Sequence, residues 1–384
     1  MTRGRVLLAD GAPPAALAAA RSLVRAGWAV EATEARFGDR APRSRGVRAV
    51  PAPSPAEEPE AFCLSVLAAA RNGPRPFLLP CSEAAIRCLE PRRVEVEAAA
   101  DLPIPPAEAL RRALDKRETL SKAKEAGLAV PGTFIALSAD DAQRCPLRPP
   151  FAMKPASSRW RTAAGGMKGA GASYAGGAAG LQSAIAGLLG MGAPAVLVQE
   201  FVPGTGWGVG VLMRGGAPAA VFVHRRIREL HPAGGPSTAA VSEAPDPALV
   251  DPAVALLRAM GWEGLAMVEF RREGRGAPVL MEVNGRPWGT LGLAVDAGVD
   301  FPRLLLEGHR GPPPEYRIGV SRRWLAGDLR RVAAAWQGPP PGYTAPFPST
   351  GRALADALFS WSPDFVFRWS DPAPFLAEVA GALL

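Results

Sequence analysis

Apolar and polar residues follow two rhythms along this chain, and their order predicts a parallel α/β opening followed by mixed lobes. Arg5-Val-Leu-Leu-Ala-Asp is a short unbroken apolar run, the pattern of a buried strand. From Pro14 to Ala26 Ala and Leu recur at helical spacing, and Trp28-Ala-Val-Glu-Ala restores a strand pattern. Strand, helix, strand in this order predicts a βαβ unit. A Pro- and Glu-rich loop spans Pro51 to Pro59, a helix is expected over Glu60 to Arg71, and Phe77-Leu-Leu-Pro reads as a further strand. The turn Asp10-Gly-Ala-Pro-Pro lacks the GxGxxG spacing of a dinucleotide site.

Beyond Pro105 the rhythm changes. A single helical stretch is expected from Ala107 to Gly127, with Pro131 just past its stop. Thr133-Phe-Ile-Ala-Leu and Phe151-Ala-Met-Lys-Pro read as strands. A glycine-dense loop follows from Ser157 to Gly177, then a helix near Ala178 to Leu189 and the strand Ala195 to Phe201. Residues 207–223 predict a hairpin around Arg214-Gly-Gly, and 265–283 another around Glu273-Gly-Arg-Gly. The last stretch, rich in Pro, Trp and Phe, reads as a peripheral lobe or wrap-around tail. The expected division is 1–105, 106–198, 199–310 and 311–384.

Composition narrows the classes. At 384 residues the chain should hold two or three subdomains. No apolar run approaches a membrane span or a signal segment, so a cytoplasmic protein without a membrane role is expected. The net charge of +8 comes from scattered arginines with no dense basic run, which speaks against nucleic acid and suits an anionic small substrate. Cys63, Cys81, Cys88 and Cys145 form no CxxC pair and read as reduced thiols. Of the 44 basic residues only five are lysines: Lys116, Lys122, Lys124, Lys154 and Lys168. A chain that uses arginine almost everywhere keeps lysine where a compact ammonium is needed, as at phosphate sites. Lys122 and Lys124 fit a solvated helix face; Lys116 and Lys154 stand out.

The sharpest chemical signal is Val-Glu269-Phe on one strand of the second hairpin and Glu282-Val-Asn284-Gly-Arg286 on the other. Glu282 and Asn284 are two apart and share a face, with Glu269 on the paired strand able to join them. An unpaired carboxylate on so apolar a strand would be costly to bury. Three hard oxygen donors converging on one sheet face match what magnesium bridging phosphates requires. Arg286, on the same side, is placed to stabilise charge in phosphoryl transfer.

These residues resemble the signature of the ATP-grasp enzymes, in the form seen in carboxylate–amine ligases and carbamoyl-phosphate synthetase large subunits, over roughly 106–310. The resemblance implies an ATP-grasp fold, α/β with α+β lobes, preceded by a βαβ subdomain. It implies ATP as cofactor and two Mg2+ ions, or Mn2+ in their place, on Glu269, Glu282 and Asn284, with Arg286 at the phosphate or substrate carboxylate. Lys116 and Lys154 match the family's two nucleotide lysines. The loop holding Ser157, Gly165, Gly166 and Lys168 resembles the flap over the phosphates. Gln199, Glu200, Phe201 and Val202 resemble the hinge that meets adenine. The family's ribose acid would fall at Gly206 or Trp207, so Glu200 is the expected substitute. His224, Arg226, Arg228 and His231 are candidate substrate-pocket residues, with alternation sending His224, Arg226 and Arg228 to one face; a solvated basic strand is the competing reading.

The implied activity is a ligase that activates a carboxylate as an acyl phosphate and joins it to an amine. Such an enzyme takes two small molecules as partners and is compatible with a homodimer. Alternatives are a non-amine acceptor, or a nucleotide-binding regulatory protein without turnover.

Overall fold

The computed structural model describes residues 3–309 and 311–381. The boundary expected at residue 310 therefore lies outside the described residues. The βαβ opening is present: β1 (Arg5–Ala9), α1 (Pro14–Arg25), β2 (Ala29–Glu34), β3 (Val47–Pro51), α2 (Pro59–Arg71), β4 (Phe77–Pro80), α3 (Glu83–Leu89) and α4 (Arg93–Ala99). The four strands form one parallel sheet in the order β3-β2-β1-β4. All five residues of β1 are buried, because helices cover both faces of its apolar run.

The expected helix over 107–127 is two helices, α5 (Ala107–Leu114) and α6 (Lys116–Glu125), broken at Asp115. Asp115 has an extended backbone, and its carboxylate accepts from the Arg117 N–H, capping α6. The break matters because it puts Lys116 at the start of α6, with its own N–H donating to the Ala156 carbonyl at 2.9 Å.

Next come β5 (Thr133–Ala136), β6 (Phe151–Pro155), the two-residue strands β7 (Trp160–Arg161) and β8 (Met167–Lys168), β9 (Ser173–Ala175), α7 (Ala178–Gly190) and β10 (Val196–Glu200). Strands β5, β10, β6 and β9 make an antiparallel sheet in that order. The third sheet is the largest. It is built from β11 (Thr205–Arg214), β12 (Ala217–His231), β13 (Gly234–Glu243), then, after α8 (Pro247–Ala259), β14 (Gly264–Arg272) and β15 (Val279–Asn284). Helices α9 (Leu291–Ala297) and α10 (Phe301–Glu307) lead to β16 (Ser321–Arg323), and the chain ends in α11 (Leu325–Gln337), α12 (Thr350–Leu358) and α13 (Ala373–Gly381). The order is β15-β14-β11-β12-β13-β16, so a strand from beyond residue 310 completes the edge of this sheet.

One core joins the first and third sheets: Ala19 and Leu23 of α1 pack in the same cluster as Phe222, Trp288, Leu291 and Phe301. A separate cluster fills the second sheet beneath α7. Among the described residues no helix is long and apolar enough to cross a membrane.

Candidate active site

A cleft of about 540 Å3 lies between the second and third sheets. Its floor is the β14–β15 hairpin, where Glu269 stands directly opposite Glu282 in the strand register. Two like charges in cross-strand contact repel, and the surrounding groups show how they are held. Asn284, two residues from Glu282 on the same face, donates its amide to Glu269 at 3.1 Å and to Glu282 at 3.0 Å. Arg226 pairs with Glu269 at 2.5 Å, and the Lys116 ammonium lies 3.8 Å from Glu282.

Environment separates the two carboxylates. Burial raises the Glu269 pKa, with Arg226 only partly offsetting it. Burial pushes Glu282 the same way, but Lys116 and Lys154 outweigh it and hold that group below the usual carboxylate range. Lys154 projects from β6 across the cleft from them. Burial lowers its pKa, opposed by the charge on Glu282, and its ammonium makes no hydrogen bond among the described residues. Arg286 lines the same space and donates to the side-chain Oδ1 of Asn284 at 3.4 Å.

Gln199, Glu200, Phe201 and Val202 line the far end of the cleft. The Glu200 carboxylate, however, turns back to accept from the Gly132 N–H at 3.2 Å. Arg226 is the side chain against Gly206, and the acid it brings into the cleft is Glu229, paired with it at 2.9 Å. Sequence reasoning missed it, because Glu229 reaches this place by folding back along β12 rather than by following the hinge.

The glycine loop differs from expectation. Ser157 donates to the Leu114 carbonyl at 3.3 Å, away from the cleft, and its neighbour Ser158 accepts from Lys116 at 2.6 Å. Gly165 and Gly166 form the β7–β8 turn, and this hairpin leans on the first subdomain: the Met167 N–H donates to the Ala56 carbonyl at 2.6 Å. The glycine that faces the cleft is Gly171, with Ala170 and Ala172.

On β12 the expected alternation fails after Arg226, where the register with β13 shifts. His224 and Arg226 face the cleft; Arg228 and His231 do not. Arg228 makes a two-point contact with Asp328, at 2.6 and 3.0 Å. The His231 Nδ1 accepts from the Ala233 N–H at 3.1 Å. His224 is 1% exposed, lies over Gly208, and meets the Thr290 hydroxyl at 3.0 Å. Burial, with a smaller contribution from Arg226, lowers its pKa to about 3. So weak a base does not suit proton abstraction from an amine. The four cysteines are unpaired, and burial raises the pKa of Cys81 well above the usual thiol range.

Three sheets in this arrangement, with a two-carboxylate, one-amide floor facing two lysines, have the fold of the ATP-grasp proteins. Residues 192–325 match the model of a family described as ATP-grasp in the biosynthetic pathway with Ter operon. Solved structures of similar fold include an L-amino acid ligase from Bacillus licheniformis, at 18% identity and a TM-score of 0.63, covering 83% of this chain and 78% of that one. An ADP complex of purK, N5-carboxyaminoimidazole ribonucleotide synthetase, aligns at 15% identity and a TM-score of 0.62, over 83% of this chain and 80% of that one. A biotin carboxylase from Campylobacter jejuni, in a β-γ-ATP complex, aligns at 17% identity and a TM-score of 0.62, over 83% and 74%. No sequence among curated proteins matches the chain.

Proposed function

We propose that this protein is an ATP-dependent ligase that activates a small carboxylate as an acyl phosphate and transfers the acyl group to an amine. The observation that carries this reading is the convergence of Glu269, Glu282 and Asn284 opposite the Lys154 ammonium, which makes no hydrogen bond among the described residues. The donor set fits magnesium: two carboxylates and an amide oxygen are hard ligands, and Glu282 is kept ionised by its lysines. Bound there, the metal would neutralise charge on the phosphates. The likeness to a ligase and to nucleotide complexes supports the same reading.

In this reading Lys116 and Lys154 hold the phosphates, and the hinge residues Gln199 to Val202 meet the base. Glu229, which lines the cleft with Gly206, is the acid available to the ribose. Arg226 and Arg286 orient the substrate carboxylate, whose oxygen attacks the γ-phosphorus as ADP leaves. The amine then attacks the acyl carbon, phosphate departs, and the amine gives up a proton to form the amide. Positioning and charge neutralisation suffice, so no protein nucleophile is required. Residues 1–105 form the subdomain before the ATP lobes, 106–198 and 199–310 the two lobes, and 311–384 an extension.

A binding protein without turnover is the second reading, favoured by a glycine at position 206, where the resemblance implies a ribose-binding acid. ADP release measured across a panel of carboxylates and amines separates the two. Ligase activity predicts ADP formation that requires both substrates and falls by about 100-fold or more in Glu282→Ala. Undiminished ADP formation in that variant refutes the site, and nucleotide binding without ADP from any pair favours the second reading.

A further inference from the structure

Beside the hinge a second cavity, of about 720 Å3, opens between the β12–β13 hairpin and residues 343–346 of the C-terminal segment. It shares Phe201, Gly206, Arg226, Glu229 and Arg271 with the main cleft, but its outer wall is distinct and is supplied by Arg228, Arg331 and Tyr343. Four arginines therefore reach one chamber, and they are unequally neutralised. Arg228 is matched by Asp328 at 2.6 Å, and Arg226 by Glu229 and Glu269. Arg271 donates to the Gly204 carbonyl at 2.6 Å, and its nearest carboxylate, Glu229, is 4.0 Å away.

Arg331 is the outlier. It is 9% exposed, and among the described residues its one partner is Asp356, at 3.5 Å. Asp356 is engaged at 3.0 Å by Arg352 as well. The Nε atoms of Arg226, Arg271 and Arg331 are all buried without an acceptor. A guanidinium taken out of water with only a distant, shared carboxylate is under-compensated, and burial, partly offset by Asp356, lowers the Arg331 pKa. A role as a staple between α11 and α12 accounts for its contact with Asp356 and leaves the buried Nε unexplained.

We propose that this chamber binds a small polyanion, carrying phosphate or carboxylate groups, through Arg331 and Arg271. The anion sits alongside the nucleotide rather than in its place, because Arg331 and residues 343–346 lie outside the main cleft. Planar guanidinium groups match carboxylate and phosphate oxygens in two-point contacts. Of the two acids on the wall, Glu229 is engaged by Arg226 and Glu273 is exposed, so neither cancels the charge on Arg331. The inference does not depend on the ligase reading.

Calorimetric titration of the full chain with citrate and, separately, with pyrophosphate tests it, and the preferred probe tells carboxylate from phosphate chemistry. Wild type should bind at least one probe, and Arg331→Ala should weaken that binding by tenfold or more. Thr344 is exposed at the chamber wall, so Thr344→Glu should weaken it similarly without disturbing the core, and decides the matter if Arg331→Ala does not fold. Arg71→Ala, which removes an exposed cation of α2 that lines neither cavity, should titrate as wild type. The proposal is overturned if neither probe binds wild type at millimolar concentration, if the two chamber variants bind like wild type, or if Arg71→Ala weakens binding as much as they do.

Discussion

Asn284 reaches Glu282 through a 3.0 Å hydrogen bond between two side chains on one face of one strand, and the same amide reaches Glu269 across the ladder. One neutral donor thereby bridges two carboxylates that would otherwise repel. Asn284→Asp removes that donor and adds a third negative charge. The metal-free variant should lose about 1–3 kcal/mol of stability, and millimolar Mg2+ should raise its melting temperature more than that of wild type. Thermal melts with and without Mg2+ check this; melting temperatures indifferent to Mg2+ in both proteins would remove the metal from the site.

The Arg228–Asp328 pair ties β12 to α11 with side chains 11% and 1% exposed. Asp328→Ala leaves a buried guanidinium without its carboxylate, which costs about 3–5 kcal/mol. Urea denaturation of the variant should show a midpoint well below wild type. A shift of only a few tenths of a kcal/mol would mean that the arginine finds another partner.

His224 imposes a pH dependence on folding. Its pKa is about 3 in the folded chain, against an ordinary value of 6.5, with burial the main cause. Between those values the unfolded chain binds the extra proton, so stability rises with pH there. The contribution is complete above about pH 6.5 and is lost as pH falls towards 3, at up to about 1.4 kcal/mol per pH unit. Denaturant unfolding at pH 5 and at pH 6.5 should show a smaller difference in His224→Asn than in wild type. Equal differences would show that the imidazole is protonated in the folded chain.

Gly342 has φ +78°, and a Cβ there would approach the Gly176 nitrogen to 2.0 Å. Gly342→Ala should therefore lift residues 338–349 off the second sheet. Faster limited proteolysis within that segment is the expected outcome, with the rest of the chain still folded; an unchanged cleavage rate would show that the contact adjusts.

The floor of the site was legible because strand periodicity alone puts Glu282 and Asn284 on one face, and a hairpin turn supplies Glu269. Lys116 and Lys154 were legible because the chain is otherwise so poor in lysine. What escaped was set by tertiary contacts. Alternation assigns Arg228 to the face of His224 and Arg226, yet a register shift on β12 turns it towards Asp328, 100 residues further on. Helical spacing continues through Asp115, so the break there shows only in the capping geometry. Ser158 rather than Ser157 reaches the cleft, where it accepts from Lys116, because Ser157 turns to the Leu114 carbonyl. The C-terminal segment carries no pattern that announces β16, because a three-residue edge strand is specified by the partner it meets.

That segment also changes what the cleft can do mechanically. Gly342 sits against Ala175 and Gly176 of the second sheet, while the adjacent Tyr343 hydroxyl donates to the Pro232 carbonyl of the third at 3.3 Å. Two successive residues thus clasp opposite jaws. Parting the jaws at that end requires one grip or the other to be released, so the tail behaves as a tie-bar whose detachment must accompany wide gaping.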